Sequence, residues 1–140
     1  MEPSENLEYC FVHYVPNVIS GERISIAVVF FDPSDLEDGI CTMCFAADWQ
    51  NRVRLIDPHS DVQVLEATLS EVQRRLLCPE QRRDMIQQME DSFSNTIQIS
   101  PKRKCPVAAT PGNIEIFARQ LLRKASYTLP GLPETQRATC

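Results

Sequence analysis

The chain has 140 residues, 43% hydrophobic and 24% charged, with a formal net charge of −5. That length and balance describe one globular domain able to bury a core without disulfide staples. No apolar run approaches the roughly twenty residues that span a bilayer, and the acidic start MEPSENLE has no apolar core of a secretory signal, so a cytoplasmic protein is expected.

The first strand is predicted from Glu8 to Val15, where Tyr9, Phe11, His13 and Val15 alternate with Cys10, Val12 and Tyr14. Pro16 should stop it, because proline donates no ladder hydrogen bond. PNVISGE then turns the chain, and a second strand runs from Glu22 to Phe31, with Ile24, Ile26, Val28 and Phe30 on one side and Ser25, Ala27, Val29 and Phe31 on the other. Both sides are mostly apolar, which marks a central strand. DPSDLEDG is a second turn, and Ile40 to Ala46 a third strand completing a meander.

The period then becomes helical. Asp48 is placed as N-cap of a short helix carrying Trp49, Val53 and Ile56, ended before Pro58. Val62, Leu65, Leu69, Val72 and Leu76 form the stripe of a helix of about sixteen residues, with Ser60 or Asp61 as its cap. Pro79 opens a third helix, in which Met85, Ile86, Met89 and Phe93 face inward. Thr96 to Ser100 is a short strand for an edge of the meander. PKRKCPVAATPG is a loop with a brief extended piece at Pro106 to Ala109. Thr110 and Pro111 start a last helix, with Ile114, Phe117, Leu121 and Leu122 inward. The fold class is α+β: an antiparallel sheet of three to four strands, the N-terminal meander plus a later edge strand, with three to four helices on one face. Residues 1–126 form one domain, residues 1–6 are loose, and 127–140 make a flexible tail.

The order YVP, GE and then ISIAVVFF resembles the bacterial family called domain of unknown function 3037. SFSNTIQISP, the proline-punctuated segment and the helix from Ile114 to Leu122 are similar to its C-terminal half. The family typically has Asn and Gly where this chain has Ser25 and Ala27. The resemblance implies no activity. What it does imply is a partner class, kinases of the HipA type.

Charge divides unevenly. Residues 1–49 hold one base against nine acids, a balance of −8, and residues 50–140 hold thirteen bases against ten acids, a balance of +3. Such asymmetry points to a protein partner, a second copy of the chain included, although solvated acidic loops give the same pattern. The four glycines are scattered, so no phosphate-cradling loop of the Walker or dinucleotide type is present. Cys41 and Cys44 form a CxxC, but on a strand their α-carbons stand about 10 Å apart, too far for a disulfide, and no second pair completes a zinc set. No cofactor or metal is expected. His13 reads as a hydrogen-bonded core histidine. His59, in DPHSD, offers ligand types for a metal but sits in a turn leading to a helix cap.

Glu22 is the most suggestive acid, at a strand entrance with Tyr14 and Arg23 near it in any hairpin. It anchors a candidate polar patch of Tyr14, Glu22, Arg23, Ser25, Trp49 and Arg52, which does not make a catalytic set. Lys102, Arg103 and Lys104 form a basic run without aromatic interleaving, a weak nucleic-acid signal. The leading reading is a protein-binding or regulatory accessory module. The alternative is a metal-dependent hydrolase or nuclease using carboxylates near Glu22 and Asp48.

Overall fold

The computed structural model describes residues 7–17, 22–91, 96–108 and 110–124. The expected loose start, the first turn at 18–21, Phe93 and the tail at 127–140 lie outside the described residues.

Strand β1 (Glu8–Asn17) pairs antiparallel with β2 (Glu22–Phe31), which pairs antiparallel with β3 (Cys41–Phe45), so the meander forms as expected. The later strand, β4 (Ile97–Ile99), takes the other side of β1, giving the order β3-β2-β1-β4. A two-residue strand, β5 (Arg103–Lys104), joins β1 at Glu8 and Tyr9. The brief extended piece is therefore here and not at Pro106 to Ala108, Ala109 lying outside the described residues. Both β5 side chains are exposed, so only the backbone pairing reveals the strand, and the Cys105 amide donating to the Leu7 carbonyl at 2.8 Å fixes it.

Pro16 does not end β1. The strand continues to Asn17 across a register irregularity between Tyr14 and Asn17, where a residue without an amide proton is tolerated. A second irregularity matters more. Val12 pairs with Ala27 but His13 with Ser25, so Ile26 is an extra residue on β2. The Phe11 and His13 rings stack on one side of β1, with centroids 5.8 Å apart and planes 18° apart. Ser25, opposite His13, therefore stands on the Phe11 side, and Ile24 on the other. The unbroken alternation expected along β2 is corrected by this bulge.

The helices are α1 (Trp49–Ile56), α2 (Val62–Leu77), α3 (Pro79–Asp91) and α4 (Pro111–Lys124). Asp61 caps α2 by accepting from the Val64 amide at 3.1 Å, and Thr110 Oγ1 caps α4 by accepting from Asn113 at 3.3 Å. Asp48 precedes α1 in the left-handed region (φ 57°) and its side chain makes no cap bond, so its role is to turn the chain out of β3.

β2 is buried continuously from Ile24 to Phe31, so both sheet faces need a roof. α1, α2 and α3 cover the face that bears Ala27, Val29, Phe31 and Met43: Trp49 stacks on Phe45, Gln73 reaches the Met43 carbonyl, and Met89 lines a small cavity with Phe31 and Val29. Three helices on one face match the expectation, but α4 lies on the other. Its Phe117 ring meets Tyr9 edge-on at 5.4 Å and Phe30 at 6.2 Å. The reason is the second apolar face of β2, where burying a side chain such as Phe30 is worth about 1.5–3 kcal/mol. Among the described residues, no helix is long and apolar enough to cross a membrane.

Candidate functional site

The patch residues chosen from sequence do not share one exposed surface. Ser25 is 2% exposed, Trp49 6% and Tyr14 7%. Ser25 Oγ is hydrogen-bonded to His13 Nδ1 at 3.0 Å, on the α4 side of the sheet. Tyr14, on the opposite side, donates to Asp57 Oδ2 at 2.5 Å, tying β1 to the end of α1. Burial first, and then the Asp57 bond, raise its phenol well above the usual range. Trp49 stacks on Phe45 at 6.1 Å. Arg52 Nη1 donates to the Leu122 carbonyl at 3.3 Å, holding the last turn of α4 against α1. Glu22 is half-buried and Arg23 exposed at the start of β2.

The other chemistry-bearing groups also find structural partners. Burial, with help from Arg23 and Arg103, pushes the His13 imidazole down to about 4, so it sits neutral in the core. Cys41 and Cys44 lie on opposite faces of β3, opposite Phe31 and Val28, and are free thiols. Burial pushes Cys41 up to about 11 and raises Cys44 as well, the reverse of what a nucleophile needs. In DPHSD, Asp57 accepts from Tyr14, Asp61 caps α2, and His59 is exposed. Among the described residues, no three His, Cys, Asp or Glu side chains are grouped to hold a metal. Of the basic run, Lys102 pairs with Glu90 at 2.5 Å, while Arg103 and Lys104 extend β5.

Arg82 on α3 has the densest polar environment, and sequence reading missed it. It is 7% exposed. Its Nε donates to the Leu76 carbonyl at 2.6 Å, and its Nη1 to the carbonyls of Leu36, Glu37 and Gly39 at 3.0, 3.1 and 3.0 Å. These bonds hang the β2–β3 loop on α3. Gly39 is needed there, since a Cβ would stand 2.4 Å from the Asp35 carbonyl. The signal was available: Arg82 lies three, four and seven residues before Met85, Ile86 and Met89, on the buried stripe itself.

The arrangement best suited to holding something else is a cleft. α4 covers the Tyr9 and Phe30 part of its face and leaves the β3 part open, so a cavity of about 750 Å³ lies between them. Thr42, Cys44 and Ala46 line it on the strand side, and Ile114, Ala118 and Leu122 on the helix side. Arg52, Arg119 and Arg123 stand around it with Glu115, which is paired with Arg119. Small and apolar walls under a charged rim suit recognition of a chain segment, while burial raises the Cys44 thiol and Glu115 is paired with Arg119 at 2.6 Å.

A family model described as a protein of unknown function (DUF3037) matches residues 9–122. No curated protein and no solved structure matches the chain.

Proposed function

The chain belongs to the DUF3037 family of proteins of unknown function, and on that premise we propose that it is a protein-binding accessory module whose docking site is the cleft between α4 and β3. The observation that carries this reading is the uneven roofing of the sheet: among the described residues three helices cover one face, while on the other α4 leaves the β3 strip as an apolar cleft with arginines at its rim. A partner completes the second roof. The potentially reactive groups, His13, Tyr14, Cys41 and Cys44, are held in protonation states or hydrogen bonds that serve the core, which favours binding over catalysis. A HipA-type kinase is the partner class that the family resemblance offers, and the first bait to try.

The test is co-purification from the native host with the intact chain and with Arg119→Glu. The Arg119 side chain is 75% exposed and its pair with Glu115 lies on the surface, so the substitution spares the fold. The reading expects a stoichiometric partner with the intact chain and its loss with the variant. Recovery of a free monomer at every salt concentration tried overturns it.

A further inference from the structure

We propose that the cleft takes its partner as an added strand, an extended acidic segment of another protein that pairs with the outer edge of β3. This rests on the protein-binding reading and adds the form and charge of the occupant.

The direction of the β3 backbone carries the argument. The Ala46 amide donates to the Ile26 carbonyl at 2.9 Å, so Ala46 turns its polar groups towards β2. Strand backbone groups alternate in direction with period two, which turns Cys44 and Thr42 the same way and Phe45, Met43 and Cys41 outward. The Met43 carbonyl agrees, because it accepts from Gln73 Nε2 of α2 at 3.3 Å. β3 ends the sheet on that side among the described residues. Its sequence, CTMCF, has neither the charge nor the proline that commonly blunt an edge. Gln73 supplies blunting instead: its side-chain amide stands where the amide of a neighbouring strand would donate.

A strand laid along β3 would replace that donor and send alternate side chains into the cleft, against Ile114 and Ala118. The five residues of β3 extend over about 17 Å at roughly 3.4 Å each, and the fourteen of α4 over about 21 Å, so the helix wall runs the length of the edge. A helix in the same cleft would leave the outward β3 groups without backbone partners, whereas a strand satisfies them. Charge selects the sequence. Arg119 is paired with Glu115, and Arg52, which donates to a backbone carbonyl, leaves the rim positive, so carboxylates on the incoming segment are attracted and ammonium groups repelled.

The probe is a short fluorescent peptide of alternating valine and aspartate, followed by anisotropy at low salt with the full chain. It should bind, and its lysine-for-aspartate counterpart should not. Methylating the backbone nitrogens in one alternating register should weaken binding roughly fivefold per hydrogen bond lost, with little effect in the other register. Arg119→Glu should weaken it roughly two- to fivefold. Gln73→Ala should tighten it up to roughly fivefold, since no amide then has to be displaced. An acidic peptide that fails to bind, that is indifferent to methylation in both registers, or that ignores Gln73→Ala overturns strand addition. If Arg119→Glu still abolishes capture of the native partner, docking at the cleft stands and the occupant is not a strand. If that capture is also unaffected, both readings fall.

Discussion

Replacing Arg82 by methionine keeps most of the side chain's packing and removes its four carbonyl contacts. Hydrogen bonds from a charged donor contribute about 1.5–3 kcal/mol each, but not additively. Water can reclaim the part-buried carbonyls of Leu36, Glu37 and Gly39, while the buried contact at Leu76 is lost more fully. The net cost is then about 3–5 kcal/mol, a large share of the 5–15 kcal/mol typical of a whole domain. At about 3–5 °C per kcal/mol for a chain of this size, the melting temperature should fall by about 10–20 °C. Urea unfolding followed by the fluorescence of Trp49, the single tryptophan, measures it directly. Arg83→Met is the control. That side chain is exposed and lies 4.0 Å from Glu37, so its loss should cost under about 1 kcal/mol. Arg82→Lys should recover less than half of the difference, because one ammonium nitrogen cannot span both the Leu76 carbonyl and the loop. The reasoning fails if Arg82→Met and Arg83→Met unfold within about 1 kcal/mol of each other.

Three further outcomes are expected. Burial holds the His13 imidazole down to about 4 in the folded chain, against about 6.5 when it is exposed, so between those values the unfolded chain binds more protons. Stability should therefore fall by about 3 kcal/mol as pH drops from 6.5 to 4, and urea midpoints of His13→Asn should lack that component of the slope. Tyr14→Phe should cost about 1–2 kcal/mol through loss of the Asp57 bond, and comparing ultraviolet titrations of the intact protein and the variant should show that the Tyr14 phenol ionises only on unfolding. Burial pushes Cys10 up to about 12 and Cys41 up to about 11, so a thiol-specific disulfide reagent at pH 8 should reach both only after denaturant is added. Mild oxidation should not link Cys41 to Cys44.

The parts of the fold that rest on periodicity were legible. The β2 run, the α2 stripe from Val62 to Leu76 and the proline at the start of α4 each follow from a local pattern, and the elements stand where the patterns put them. Pairing irregularities were not. Nothing in the order of β2 marks Ile26 as the extra residue, since the bulge is a property of two strands held together. β5 was hidden because its two exposed basic residues pair through backbone alone. Chain proximity in a hairpin gathers the patch around Glu22, but the bulge and the approach of α1 send Ser25 and Tyr14 to opposite faces. The cleft was invisible for a related reason: it depends on how far α4 slides across the sheet, and Phe117 sets that by seating on Tyr9 and Phe30.

β1 acquires its second neighbour late. Val12 pairs with Ala27 within the first hairpin, but its other partner, Ile99, lies 87 residues further along the chain. At about 5–20 residues per second, a ribosome needs roughly 4 to 17 s to make that stretch. The nascent hairpin is meanwhile a hydrophobic ribbon open along one border, and a natural client for chaperones until β4 emerges to close it.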